Sequence, residues 1–448
     1  MVVAVVGAGR SGQAAARWLA SQGMQVQVWD GGRGEALQGV AQTLTAGGIE
    51  VILGREFVLE EPLPSKVIVS PGVSWDHPGL VAARARGLAV TGEVGLAWEE
   101  LKDRRWLCVT GTNGKTTTTA LIGHIFAQAG IAAPVCGNIG RPASELLLTP
   151  EPCEWIVAEL SSFQIEAAGD LKPEVAVWTT FSPDHLNRHG TLERYAAIKA
   201  SLLVRARRAV LNGDDAYLKA QRRSWPDAWW TAIGDPQAQV SVEQGQICVL
   251  AKPVLPVAAV RLPGAHNLQN VLMAVGATYL AGISIEEIGR AVASFEGVAH
   301  RLEPVGVHAG IRFINDSKAT NYDAALVGLL ATPAPTVLIC GGEAKAGDPD
   351  AWLAAACERC AAVVLIGSAA PLFEQWFRER DYRGITVAHT LDRAVPIAFD
   401  LARAAQAGSV LFSPACASFD QFLNFEERGE RFRAFVNGLT SVRSDRAR

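Results

Sequence analysis

At 448 residues, with 49% hydrophobic and 19% charged side chains and a formal net charge of −4, the chain has ordinary globular composition and enough apolar surface for several cores. Its charge is spread without runs, which argues against nucleic acid or an anionic membrane as partner, and no uncharged apolar stretch nears the ~20 residues of a membrane span. Because Met1 to Gly9 has no basic region ahead of a signal core and eight cysteines in so long a chain make no disulfide framework, the expectation is a cytoplasmic monomer of roughly three domains at ~150 residues each.

The first segment opens with an apolar run, Val2 to Val6, then glycines, then a helical stretch from Gln13 to Ser21. A second strand, Val26 to Trp29, ends at Asp30, and a third, Lys66 to Val69, runs into Ser70-Pro71-Gly72 before the segment closes near Thr91-Gly92-Glu93. This is a βαβ beginning. Gly7-Ala8-Gly9-Arg10-Ser11-Gly12 fits G-x-G-x-x-G between strand and helix, and Asp30 stands where a ribose-binding acid belongs. Backbone N–H groups at a helix start are open to any diphosphate. The motif therefore fits NAD or FAD, and equally a UDP-sugar.

The second segment starts with the strand Trp106 to Val109 and a loop, Thr110-Gly111-Thr112-Asn113-Gly114-Lys115-Thr116, that leads into a helix to Gln128. Val109 stands where the first glycine of G-x-x-x-x-G-K-[ST] would be. The Gly-Lys-Thr end still suits ATP: amides cradle phosphates, Lys115 offsets their charge, and the Thr116 hydroxyl can ligate Mg²⁺. Glu159 ends the strand Trp155 to Ala158, facing the crevice where open α/β sheets bind ligands, so it is a candidate Mg²⁺ ligand. The strand Val175 to Thr179 opens into Asp184-His185-Leu186-Asn187-Arg188-His189, where His185 is a further metal candidate. Lys199 lies on a helix starting near Leu192, and its residue type alone does not separate a surface lysine from a functional one. A strand at Ala209 to Leu211, a β-rich stretch from Val240 to Leu262 and a helix from Asn267 to Leu280 complete this part.

The third segment begins near Gly297 to Pro304, with strands expected at Arg312 to Ile314, Thr336 to Cys340, Ala362 to Ile366 and Val410 to Phe412. Alternating strands and helices imply parallel sheets with right-handed crossovers. Cys357 and Cys360 form a lone C-x-x-C, which reads as packing rather than metal or redox chemistry. Lysine is scarce beside arginine, and Lys115, Lys199, Lys318 and Lys345 all fall within the motifs, where lysine chemistry matters.

Taken together, Gly111 to Thr116, Glu159-Leu160-Ser161-Ser162-Phe163-Gln164, Asp184 to His189 and Lys199 resemble the Mur ligases, with folylpolyglutamate synthetase as a relative. Gly264-Ala265-His266-Asn267-Leu268-Gln269-Asn270 and His300-Arg301-Leu302-Glu303 extend the resemblance across essentially the whole chain. The resemblance implies an α/β chain of three domains: Rossmann-like (1–93), a central P-loop ATPase-type parallel sheet (94–297) and a second Rossmann-like domain (298–448). Within the family, Ser70-Pro71-Gly72, Asn315 to Asn321 and Ser413 to Phe422 followed by Asn424-Phe425 are similar to the members that add D-glutamate to UDP-N-acetylmuramoyl-L-alanine. Asp-Asn-Pro-Arg, which marks the diamino-acid-adding members, is absent from the sequence.

The resemblance also implies a role for each matched position. ATP would be held by Gly111, Thr112, Asn113, Gly114, Lys115, Thr116 and Thr117, with Asn270 and Asp316 on adenine and ribose and Arg301 on the terminal phosphates. Mg²⁺ would be held by Thr116, Glu159, His185 and Lys199, the last N6-carboxylated by CO₂, since a carbamate gives lysine the oxygen donors a hard cation prefers. The UDP-linked acceptor would lie along Arg10, Ser11, Gly31, Gly72, Asn138, Ser161 and Gln164. D-Glutamate would be held by Lys318, Thr320, Lys345, Ser418, Phe419 and Phe425. Lys115, His185 and Lys199 are the implied catalytic residues. ATP would draw on both the central and the C-terminal segments. An oxidoreductase built on Gly7 to Gly12 is the rival reading, and a non-catalytic sugar-nucleotide sensor the third; both leave the second and third segments' motifs unexplained.

Overall fold

A computed structural model describes residues 2–149, 151–262, 264–344 and 347–439. The chain divides into two compact units, residues 1–296 and residues from 297 onward.

The first unit holds two sheets. In the first, β1 (Val2–Val6), β2 (Gln25–Asp30), β3 (Glu50–Leu53), β4 (Lys66–Val69) and β5 (Ala89–Gly92) lie in the order β3-β2-β1-β4-β5, and every pairing is parallel. A strand buried on both faces needs an unbroken apolar run, which β1 supplies. The order reverses beside β1, which places the Gly7 loop at the switch point of the sheet.

The second sheet comprises β6 (Arg105–Thr110), β7 (Val135–Gly137), β8 (Trp155–Glu159), β9 (Val175–Trp178), β10 (Arg208–Asn212), β11 (Trp229–Ala232), β12 (Val240–Glu243), β13 (Gln246–Val249) and β14 (Lys252–Pro256). Its order is β14-β13-β12-β11-β10-β9-β6-β8-β7. Pairing is parallel from β7 to β12 and antiparallel across β13 and β14, so the alternating stretch after Val240 is a meander at the sheet edge. β6 lies inside the sheet with β8 and β9 as neighbours, and its carboxyl end is the second switch point.

The second unit has one sheet of β15 (Glu303–His308), β16 (Ile311–Asn315), β17 (Thr336–Gly341), β18 (Cys360–Ile366), β19 (Ile385–His389) and β20 (Ser409–Phe412), ordered β15-β16-β20-β17-β18-β19. Only the β15–β16 pair is antiparallel. Cys357 and Cys360 pack into its core, and burial pushes the Cys360 thiol up to about 12 and raises that of Cys357.

The strands β3, β5, β7, β11, β15 and β19 had no clear sequence signal. Most are four to six residues long, β7 only three, and several carry polar or glycine residues, so their pairing comes from the neighbouring strand rather than from their own propensity. Among the described residues, no helix is long and apolar enough to cross a membrane.

Candidate active site

The phosphate loop follows β6 and is fixed by close backbone approach. Gly111 has φ +149°, and a Cβ there would lie 1.9 Å from Thr179 Oγ1. Gly114 caps the helix Lys115–Gln128 in a left-handed conformation (φ +82°), with a Cβ position only 2.3 Å from Asn270 Oδ1. Only glycine tolerates both constraints. The loop is further pinned where Asn113 N–H donates to Thr180 Oγ1 at 2.9 Å and Thr112 Oγ1 donates to Ser182 O at 3.1 Å. No side chain caps the helix start, and a helix N-terminus that follows a glycine loop is the arrangement that binds phosphate. Thr116 and Thr117 are buried on the first turn.

Lys115 Nζ donates to the carbonyls of Gly111 and Thr112 at 2.9 and 2.8 Å. Lys199 Nζ reaches the same Gly111 carbonyl at 2.8 Å, from the helix Leu192–Arg205. It is 1% exposed and lies 4.6 Å from the Tyr195 ring centroid. Lys199 is therefore not a surface lysine. Burial, and then the charge of Lys115, hold its amine well below the usual lysine range, partly opposed by Asp184.

Glu159, at the carboxyl end of β8, is 1% exposed. Its Oε1 accepts from Asn138 Nδ2 at 2.7 Å, and its Oε2 is buried with no hydrogen-bond partner. A buried carboxylate oxygen in that state is costly unless a cation meets it, so the residue suits a Mg²⁺ ligand. His185 holds a left-handed backbone (φ 52°) unusual for a non-glycine residue. Its ring packs 4.9 Å from that of Phe163, with Nε2 3.3 Å from Asp184 Oδ2. Burial lowers its pKa, Asp184 opposes this, and Lys115 and Lys199 add to it, which favours the neutral imidazole a metal needs. Among the described residues, no three His, Cys, Asp or Glu side chains gather as a ready-made metal cluster. The donors present are carboxylate, imidazole, hydroxyl and amine; the carboxylate and hydroxyl offer the oxygen a hard cation prefers, whereas the imidazole and amine offer nitrogen. His189 points elsewhere: buried, it meets Ser162 Oγ through Nε2 at 2.8 Å, and burial takes its pKa down to about 4.

At the first glycine loop, a Cβ at Gly12 would fall 1.9 Å from the Gly7 carbonyl, and Gly7 itself has φ +98° with a Cβ position 2.7 Å from that of Ser70. Asp30 accepts from the N–H groups of Ala8 and Gly32, both at 2.8 Å, and so braces the glycine turn. Arg10 and Ser11 open the helix Arg10–Ser21, and Arg10 Nη2 donates to Gly140 O at 3.2 Å. Gly31 lies against Glu56, whose Oε1 is 2.3 Å from where a Cβ would be, and Gly72 faces open space. Ser161 and Gln164 form a reciprocal capping box at the start of the helix Ser162–Ala167, so their side chains are first of all a helix start.

In the second unit, Arg301 lies between His300 (φ 63°) and Leu302 (φ 46°). His300 N–H donates to Glu303 Oε2 at 2.9 Å, and Leu302 N–H to Asp316 Oδ1 at 3.2 Å. Asp316 is buried, with Oδ2 accepting from Ser413 Oγ at 2.8 Å, and burial raises its pKa to about 7. Here its carboxylate braces the Arg301 loop. Lys318 Nζ lies 5.7 Å from the Phe425 ring centroid, on the turn that also carries Thr320. Ser418 is buried and Phe419 is 71% exposed. Lys345 lies outside the described residues.

Arg428 was missed in the sequence. It is 1% exposed on the helix Phe425–Gly438, and it donates to Ser317 Oγ and O and to the carbonyls of Cys416 and Ala417 at 2.8–3.1 Å. It therefore ties the Lys318 turn to the Ser418 loop. Among the many charges of Glu426-Glu427-Arg428-Gly429-Glu430-Arg431 no local signal marks it.

Residues 109–278 match the Mur ligase middle domain and residues 1–92 the N-terminal domain of MurD-like Mur ligases. The chain is 70% identical to a UDP-N-acetylmuramoylalanine–D-glutamate ligase of Gloeobacter violaceus, over 98% of this chain and 99% of the relative. It is 50% identical to the same-named ligase of Microcystis aeruginosa, over 96% and 98%. In fold it is similar to the crystal structure of a UDP-N-acetylmuramate–alanine ligase from Thermotoga maritima, with TM-score 0.60 and 19% identity, covering 99% and 100% of the two chains.

Proposed function

This chain belongs to the Mur ligase family, in its D-glutamate-adding branch, and from that premise we propose how its residues divide the work. The reaction is the ATP-dependent joining of D-glutamate to UDP-N-acetylmuramoyl-L-alanine, a step of peptidoglycan precursor synthesis. ATP and Mg²⁺ are its general requirements.

At neutral pH a carboxylate does not form an amide with an amine, because proton transfer wins. The acceptor's terminal carboxylate oxygen therefore attacks the γ-phosphorus of ATP, ADP leaves, and an acyl phosphate forms. The amino group of D-glutamate attacks the acyl carbon, phosphate departs, and the amine proton is lost. Lys115 and the helix N–H groups stabilise the charge that builds on the transferring phosphoryl group. Thr116, Glu159 and His185 would hold Mg²⁺, which neutralises phosphate charge when bound. The reading is supported most directly by the convergence of Lys115 and Lys199 on the Gly111 carbonyl. Burial lowers the pKa of the Lys199 amine and so favours the neutral form that adds CO₂, and the carbamate at Lys199 would supply a further oxygen donor.

On the acceptor path we place Arg10, Ser11, Gly31, Gly72, Asn138, Ser161 and Gln164. Asn270, Arg301 and Asp316 serve the nucleotide, and Lys318, Thr320, Ser418, Phe419 and Phe425 serve D-glutamate, whose two carboxylates suit lysine partners. The functional domains are 1–93, 94–297 and 298–448, and the location is the cytoplasm, where ATP is available.

The test is ADP release from ATP, Mg²⁺ and UDP-N-acetylmuramoyl-L-alanine with D-glutamate, L-glutamate, meso-diaminopimelate or L-alanine. Release with D-glutamate alone, with the matching product mass, is expected. Release with another amino acid moves the second-unit assignments, and none at all with bicarbonate present overturns the ligase reading.

A further inference from the structure

Arg188 and Arg194 are absent from every role assigned above, yet both bridge the acceptor side of the first unit to its phosphate side. Arg188 lies in the single-turn helix Leu186–His189, which opens at the left-handed His185. Its Nη2 donates to the Val73 carbonyl at 2.8 Å, immediately after Ser70-Pro71-Gly72. Its guanidinium lies 4.6 Å from the centroid of Phe163, the ring that also packs against His185 and His189. The His189–Ser162 hydrogen bond fastens the same turn to the start of the helix Ser162–Ala167, where Ser161 and Gln164 form the capping box. Arg194, on the next helix, pairs with Asp76 at 2.7 Å and Glu166 at 2.9 Å.

The Gly72 loop is thus held by two guanidinium groups reaching from the segment that follows His185. A guanidinium that both stacks on an aromatic face and donates to a carbonyl has few alternative positions. It fixes a distance in a way a flexible ammonium does not. A displacement of ~1 Å between reacting groups can cost ~100-fold in rate.

We propose that Arg188, supported by Arg194, is a positioning residue for the UDP-linked acceptor: it sets the Gly72 loop against the His185 segment, so that the acceptor carboxylate arrives in register with the phosphate loop. This rests on the reading that the acceptor runs along Gly72 and Gln164.

The experiment measures KM separately for UDP-N-acetylmuramoyl-L-alanine, ATP and D-glutamate in the full chain and in R188A, R188K, R194D and the exchange D76R/R194D, with unfolding temperatures alongside. In R188A the acceptor KM should rise by ~tenfold or more while the other two stay within ~twofold. R188K should recover only part of the loss. R194D should raise the acceptor KM several-fold, and the exchange should restore part of it, through the position 76 pair alone, since Glu166 loses its ion pair with Arg194. An acceptor KM in R188A within ~twofold of wild type overturns the proposal. So do KM values that rise together for all three substrates as the unfolding temperature falls. If R188A fails to fold, the exchange decides, and no recovery there overturns it. Wild-type protein that releases no ADP with this acceptor is a different result, which removes the ligase reading itself.

Discussion

Lys115 and Lys199 share one carbonyl oxygen, that of Gly111, and their fates differ because only Lys199 is buried to 1% exposure. Lys115 lies on the phosphate loop itself, so K115A should lower turnover by ~10³-fold or more with the unfolding temperature near wild type, read as ADP release and a thermal melt. Wild-type turnover in K115A would remove Lys115 from the chemistry. Lys199, whose amine burial holds well below the usual lysine range, should behave as a carbamate: K199A should be nearly inactive and partly restored by a short carboxylic acid that refills the oxygen donor. Full activity in K199A without any additive would return Lys199 to a structural role. In the sequence, Lys199 was indistinguishable from a surface helix lysine, because burial depends on residues 88 positions away at Gly111.

The helix Glu93–Leu101 begins just after β5 and is tied to the loop beyond Asn138 by its first residue. Glu93 Oε1 accepts from both the N–H and the Oγ of Ser144, and burial raises its pKa from 4.5 to about 7. The unfolded chain gives up this proton above pH 4.5, and the folded chain holds it to about pH 7. The carboxyl therefore costs nothing in acid, and its penalty grows as pH rises from 4.5 to about 7. E93Q keeps an acceptor for Ser144 but does not ionise. It should match wild type near pH 4.5 and exceed it above pH 7 by up to about 3 kcal/mol, since one pKa unit is ~1.4 kcal/mol. Urea unfolding at both pH values checks this, and an equal difference at the two would refute the titration. Glu93 was read in the sequence only as the close of a segment, because nothing local shows that Ser144 would meet it.

For the whole chain, the phosphate loop and acceptor path are proposed in residues 1–296, and the D-glutamate residues from 297 onward, where Arg301 and Asp316 of the nucleotide set also lie. K318A should accordingly raise the KM for D-glutamate by ~tenfold or more, leaving the acceptor KM within ~twofold. Initial rates against each substrate decide it, and a rise confined to the acceptor would contradict the division. Arg428 shows why the second unit was harder to read. It is a buried cation with four hydrogen bonds to Ser317, Cys416 and Ala417, and its partners come from two loops about a hundred residues apart.

The sequence by itself determined the α/β class, the strands β1, β4, β6, β17 and β20 within a residue or two, and the Gly111 to Thr116 loop. These are set by apolar runs, glycines at forced backbone positions and a Lys-Thr pair, all local in the chain. It also carried the family, because motifs spread from Gly7 to Phe425 keep one order. Only the tertiary structure decided that Lys199 is buried beside Lys115, that Glu159 has an unpaired buried oxygen, that Asp30 and Asp316 brace loops, and that Arg188 joins the loop after Gly72 to the His185 turn. Each of those depends on strands and loops distant in sequence meeting at the carboxyl ends of parallel sheets, a placement that pairing register and burial fix and local residue types do not.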